Sequence, residues 1–282
     1  MIARVFPRRN HATPTDALTF TCAPDLTHFM LGITAVEVSV SFSWDLPIAE
    51  RLARAWSAVA PTTIGGPATG MRGEAFVPGC YLREGYVITS RGCPNRCPHC
   101  EVWRREGATV RELPIHDGYN VLDDNLLACS DAHVTAVFTM LARQRQRVLF
   151  SGGLEAARLR PWHVDWLVRL HPLSIFFAYD DAGDYAPLMD AGQMLYEAGF
   201  SWKSRMLRCY VLCGYPGDTL LAAERRMLET VTAGFWPMAM CYRDATGIRD
   251  KEWIRFAKCW SRPGTIHSML RDGTRASGVR FD

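Results

Sequence analysis

The chain of 282 residues lacks any uncharged run long enough to cross a bilayer. Leu170 to Tyr179 and Thr230 to Tyr242 fall short of the roughly 20 residues a spanning helix needs, and Pro172 and Pro237 break them. It also lacks a signal-peptide core. Arg4, Arg8 and Arg9 open the sequence, but the polar stretch Asn10 to Asp16 intervenes before any apolar run begins. A cytoplasmic protein with no membrane partner is expected. Charge of one sign is not in excess: Lys plus Arg is 32 against Asp plus Glu 29, a formal charge of +3, which by itself supports no nucleic-acid partner. Internal repeats and low-complexity tracts are absent. With 48% hydrophobic and 22% charged residues, disordered, collagen-like and coiled-coil classes are excluded.

Cysteine, by contrast, is plentiful: there are ten. With no secretory signal, a metal or redox site in a reducing compartment is a better reading than a disulfide framework. The informative segment is ITSRGCPNRCPHCEVW, where Cys93, Cys97 and Cys100 follow a C-x3-C-x2-C spacing. Three thiolates on one short loop can surround one metal centre. In a 4Fe-4S cluster they would satisfy three irons and leave the fourth open to an exogenous ligand. Pro94 and Pro98 restrict the loop and lower the entropy lost on wrapping a cluster. The competing reading is a zinc site of three cysteines plus His99 or a remote ligand, although a second C-x2-C pair is missing.

Around this loop the chain reads as α/β. VEVSVSFS (Val36 to Ser43) alternates like a strand, Pro47 to Val59 has helical spacing, and Thr62 to Ile64 is a short strand before the turn Gly65 to Gly70, making a βαβ fragment too small to stand alone. From Tyr86 onward apolar runs alternate with helical patterns. Strands are expected at Tyr86 to Ser90, Asn120 to Asp123, Arg147 to Ser151, Ser174 to Tyr179, Leu207 to Cys213 and Pro237 to Tyr242. Helices are expected at Pro98 to Arg105, Ser130 to Arg143, Pro161 to Leu170, Ala186 to Ala198 and Thr219 to Ala233. Such a series calls for a parallel sheet with right-handed crossovers and its chemistry at the carboxyl ends of the strands. The expected domains are an N-terminal cap and linker (1–85), a core (86–245), and a C-terminal helix from Lys251 to Trp260 with a frayed tail from Arg262 (246–282).

The cysteine spacing, with His99 at the aromatic position before the last cysteine, resembles the signature of the radical S-adenosylmethionine (radical SAM) superfamily over about residues 86 to 245. That resemblance implies a partial (β/α)6 barrel, here with a small N-terminal βαβ cap. It implies a 4Fe-4S cluster on Cys93, Cys97 and Cys100, with S-adenosyl-L-methionine as second cofactor. Gly152, Gly153 and Glu155, in FSGGLEA, resemble the family's Gly-Gly-Glu motif, which receives the methionine amino group. Tyr179 and Asp180 stand where the family contacts the ribose. VLCGYPGDT, Val211 to Thr219, resembles the element supporting the adenine, with Asp218 where Glu is more usual, and Met238 to Cys241 would contact the adenine through the backbone.

Asp123, Asp124 and Asn125 resemble a segment of radical SAM proteins that carry a cobalamin domain, and Val36 to Gly66 is similar to the last part of such a domain. The lower-ligand pattern Asp-x-His-x-x-Gly is missing: Asp25 and His28 have the wrong spacing, and no glycine follows Asp131-x-His133 suitably. The cap therefore reads as a remnant. The activity implied is reductive cleavage of SAM to a 5'-deoxyadenosyl radical that abstracts hydrogen from an unknown substrate, with an electron donor such as flavodoxin or ferredoxin. Asp123, Arg205, Arg208 and Tyr242 are candidates for substrate contacts. Two alternatives stay open: a radical SAM methyltransferase, and a non-catalytic zinc or iron-sulfur module whose basic runs at Trp103 to Glu106, Arg143 to Arg147 and Arg205 to Arg208 meet a partner or nucleic acid. Cys209, Cys213 and Cys241 read as small hydrophobes rather than ligands of a second cluster.

Overall fold

β-Branched and apolar residues at alternate positions put two strands side by side near the amino terminus: β1 (Ile2–Val5) and, after the two-residue β2 (Thr19–Phe20), β3 (Ala35–Ser39). These belong to a computed structural model that describes residues 1–244, 246–248 and 250–273. Its contacts divide the chain into two units, residues 1–118 with 244–247, and 119–243 with 248–282.

In the first unit, α1 (Leu46–Trp56) opens with Pro47 in its first turn and buries Ala49, Leu52 and Trp56, which recur at three- and four-residue spacing on one face. β4 (Thr62–Gly65) completes a parallel sheet of order β2-β1-β3-β4. Helix and sheet share a core of Ala3, Val5, Val36, Val38, Val40, Ala49, Leu52, Trp56 and Ala60. Each large apolar side chain fully buried there contributes about 1.5–3 kcal/mol. The βαβ fragment expected at 36–66 is thus half of a larger layer. Gly66 closes it: its φ is +104°, and a Cβ there would sit 2.6 Å from the Val40 carbonyl oxygen.

The expected strand from Tyr86 to Ser90 is two short pieces, β5 (Tyr86–Val87) and β6 (Ser90–Arg91). The expected helix from Pro98 shrinks to α2 (Val102–Arg105), because Pro98 and His99 make a turn that closes with Cys100 N–H donating to the Cys97 carbonyl. β7 (Arg111–Glu112) then pairs antiparallel with β6.

The second unit alternates strand and helix: β8 (Asn120–Val121), α3 (Asp131–Ala142), β9 (Leu149–Leu154), α4 (Pro161–Leu170), β10 (Ser174–Ala178), α5 (Tyr185–Glu197), β11 (Leu207–Cys213), α6 (Leu220–Thr232) and β12 (Trp236–Cys241). Every strand pairs in parallel with the next in sequence, from β8 through β12. The order never reverses. Right-handed crossovers therefore set the helices on one face of the sheet, where α3 touches α4, α4 touches α5 and α5 touches α6. The alternation in β11 records the two faces. Leu207, Cys209, Val211 and Cys213 are buried, while Arg208, Tyr210 and Leu212 on the opposite face are partly exposed. Burial pushes the Cys209 thiol well above its ordinary range, as befits a small apolar filler.

α7 (Lys251–Trp260) matches expectation, but the tail does not begin at Arg262. α8 (Pro263–Asp272) follows, with Pro263 in its first turn and Ile266 and Met269 buried three residues apart. The rest of the expected tail, 274–282, lies outside the described residues.

Helix α5 carries a test of how closely these layers pack. A Cβ on Gly192 would lie 1.9 Å from the Ala233 carbonyl oxygen. Alanine in a helix ordinarily gains about 1 kcal/mol over glycine. Overpacking costs about 1–3 kcal/mol, and a contact this short against backbone falls at the upper end. Gly192→Ala is expected to lower the melting temperature, as thermal unfolding followed by circular dichroism will show.

Candidate active site

The cysteine loop springs from a braced base in the first unit. Gly92, with φ +89°, passes so close to Thr109 that a Cβ would lie 2.4 Å from its carbonyl oxygen. Cys93 N–H donates to the Gly107 carbonyl at 3.4 Å, and Leu113 N–H to Thr89 at 2.8 Å. Farther out, Trp103 Nε1 donates to the Cys97 carbonyl at 3.1 Å, and Arg104 donates to the carbonyls of Pro98 (3.0 Å) and Cys100 (3.3 Å). Donors from α2 thus hold the loop's outer carbonyls, since no strand partners them.

Below the loop, Glu106 is buried. Its carboxylate accepts from Arg105 Nε at 3.0 Å, Arg111 Nη2 at 2.9 Å, and the Gly73 N–H at 3.1 and 3.2 Å to its two oxygens. Burial alone would raise its pKa. The Arg105 hydrogen bond, the Gly73 N–H and the charges of Arg91 and Arg105 outweigh it and hold the carboxyl below the usual range. Nothing in the motif spacing pointed to this clamp.

Cys93 and Cys100 are partly exposed, and Cys97 and His99 are exposed. None of the ten cysteines forms a disulfide. Cys129, Cys209 and Cys213 are buried, whereas all three loop cysteines are at least partly exposed. Among the described residues no three His, Cys, Asp or Glu side chains converge closely enough to hold a metal ion. The donor set itself, three reachable thiols on one loop, suits an iron-sulfur cluster that takes one thiolate at each of three irons.

In the second unit the Gly-Gly-Glu segment is a bulge. β9 runs from Phe150 to Leu154 while its partner β10 advances only from Ile175 to Phe177, so the extra residues loop out at Ser151 to Gly153. Gly152 is forced: a Cβ would meet the Asp123 carbonyl oxygen at 2.5 Å. Gly153 takes φ +89°. The bulge delivers Glu155, whose Oε2 accepts from Asn125 Nδ2 and from Arg158 Nε, both at 2.6 Å. Both donors reach the same oxygen. Oε1 has no protein donor among the described residues, and the side chain is 20% exposed. Asn125 appeared in the sequence only as part of a polar strand end, and Arg158 gave no signal beyond standing three residues after Glu155.

The nucleoside candidates have partners of their own. Tyr179 follows directly on β10, where its N–H donates to the Tyr210 carbonyl at 2.9 Å and its phenol donates to Glu229 of α6. Its phenol pKa is raised, first by burial and then by this carboxylate. Asp180 accepts from the Leu212 N–H at 2.8 Å. Asp218 accepts from the Gly214 N–H at 2.8 Å and from Arg226 at 2.9 Å, organising the loop before α6, while Thr219 caps that helix. Within the protein these carboxylates accept from backbone and guanidinium donors.

No family model matches this chain. No curated protein matches it either. The radical SAM resemblance therefore rests on the residues just described. Among the described residues no helix is long and apolar enough to cross a membrane.

Proposed function

We propose that this chain is a radical SAM enzyme. When bound, a 4Fe-4S cluster on Cys93, Cys97 and Cys100 would supply one electron to S-adenosyl-L-methionine, releasing methionine and a 5'-deoxyadenosyl radical for hydrogen abstraction from a substrate. The observation that carries the reading is Glu155: a bulged Gly-Gly turn presents a carboxylate with one oxygen held by Asn125 and Arg158 and the other open. Such an oxygen suits an ammonium group, which donates without needing an acceptor in return. The missing side chain at Gly152 keeps the bulge against the backbone of Asp123, and Arg158 restrains the Glu155 rotamer. In the other unit, the hydrogen bonds from Trp103 and Arg104 limit how far the thiol-bearing backbone can wander. A series of parallel strands without reversal supports the reading by analogy of architecture only.

The test is anaerobic reconstitution of the full chain with ferrous iron and sulfide, followed by reduction in the presence of SAM. About four irons per chain with matching acid-labile sulfide, and 5'-deoxyadenosine detected by chromatography, are expected. A colourless protein that binds zinc alone and leaves SAM intact overturns the proposal.

A further inference from the structure

Several arginines of the second unit have acceptors, although the Arg226 Nε is itself buried without a partner among the described residues. Arg147 donates to the carbonyls of His171 and Pro172, Arg158 to Glu155, Arg160 to Asp131, and Arg226 to Asp218 and Leu212. Arg208 has no such acceptor. It is the second residue of β11, on the face turned away from the helices, and its Nε is shut off from solvent without a hydrogen-bond partner among the described residues. No carboxylate of the described residues pairs with it. A donor sealed from water and left unsatisfied is costly to the fold, so it needs a reason.

The surroundings supply one. The Arg208 guanidinium lies 5.7 Å from the centre of the Phe176 ring, and Phe176 stacks on Tyr210 at 4.4 Å with their planes 13° apart. Tyr210 is held in turn by its hydroxyl, which donates to the Ser151 carbonyl at 3.4 Å. Trp236 is the register partner of Arg208 on β12, and the Arg205 guanidinium stands 5.5 Å from its ring. Two cations with no carboxylate partner among the described residues, Arg208 on β11 and Arg205 just before it, thus lie beside a set of oriented rings.

We propose that Arg208, with Phe176 and Tyr210 beside it, binds an oxyanion, a carboxylate or a phosphate, carried on a planar body. The planar guanidinium fork matches either anion with two parallel hydrogen bonds, and the partly exposed Tyr210 ring, backed by the buried Phe176, matches the body. As a binding site this stands on the second unit alone. That the anion belongs to the substrate rests on the function proposed above. Arg208 lies about 16 Å, five residues of strand, from Cys213 at the carboxyl end of β11, so a substrate reaching both would be elongated.

Calorimetric titration of the full chain, without iron or SAM, tests the proposal with three probes: phenyl phosphate, benzoate and neutral benzyl alcohol. At least one of the two anions is expected to bind saturably, about tenfold or more weaker to Arg208→Gln, with Arg208→Lys in between. The stronger of the two identifies the anion. Benzyl alcohol is expected not to bind. Equal affinity in wild type and Arg208→Gln, equal binding of the neutral probe, or no binding of either anion overturns it. If Arg208→Gln melts before titration, Arg208→Lys and loss of wild-type binding on raising salt decide the matter, unchanged affinity in both counting against it. Because no SAM cleavage is read, failure of the enzymatic proposal and failure of this one are separate results.

Discussion

In the reconstituted protein, Cys97→Ala is expected to lose both its iron and its 5'-deoxyadenosine product, and Cys93→Ala and Cys100→Ala to do the same. Removing a group that merely orients a metal ligand costs about 10–100-fold, so removing a ligand should cost more than about 100-fold and leave activity at background. The controls are chosen by exposure. Cys22 is exposed but lies in the first unit's sheet region, where its carbonyl accepts from Trp56 Nε1, and Cys209 is buried on β11. Cys22→Ala and Cys209→Ala are expected to keep iron and product. Equal loss in all five variants would mean that iron is held nonspecifically by thiols, and loss in none would remove the loop from the chemistry.

Glu106→Gln should destabilise the first unit by about 3 kcal/mol. Taking one partner from a buried ion pair costs about 3–5 kcal/mol, and the lower end applies because Arg111 is 30% exposed and keeps some hydration. Glutamine preserves the shape but not the charge. Its amide NH2 must also face Arg105, Arg111 or the Gly73 N–H, all of which donate. Denaturant unfolding of wild type and variant measures the difference. The pH dependence has a definite sign. The folded pKa of Glu106 is depressed, so its contribution is fully present above the unfolded value near about pH 4.3 and is lost as pH falls through the folded value. The gap between wild type and Glu106→Gln should therefore narrow below about pH 4.3 and stay constant at neutral pH. A gap independent of pH would show that shape, not charge, holds the clamp. Because the clamp braces the base from which the thiols extend, the same variant should retain less iron after reconstitution.

Much was legible in the sequence where chemistry and period are local. The three cysteines declare themselves by spacing, and the Gly-Gly-Glu segment by its place after an apolar run. Five of the six expected strands in the βα series, and α3 to α6, fall within a few residues of their expected limits because each carries its own hydrophobic period. Where a residue's role depends on a remote partner, the sequence was silent. β1 has Arg4 in its middle, which hides its alternation, yet Arg4 is spent on the carbonyls of Gly79 and Cys80, and the strand forms because Val36 and Val38 lie across from it. α8 looked frayed from its Gly, Ser and Arg content, but Ile266 and Met269 find an apolar neighbourhood against α7.

By itself, then, the order of residues determined an α/β chain with parallel strands, a loop armed with three thiols, and a glycine pair turning out of a strand. Tertiary structure alone decided that Tyr179 turns toward Glu229, that Asp218 serves Arg226 and the Gly214 N–H, and that, among the described residues, one Glu155 oxygen has no donor and Arg208 Nε no acceptor. The reason is the range of the forces involved. Periodicity and turn chemistry act over a few residues and are written in sequence, whereas the satisfaction of a buried charge or donor depends on groups brought together from far along the chain.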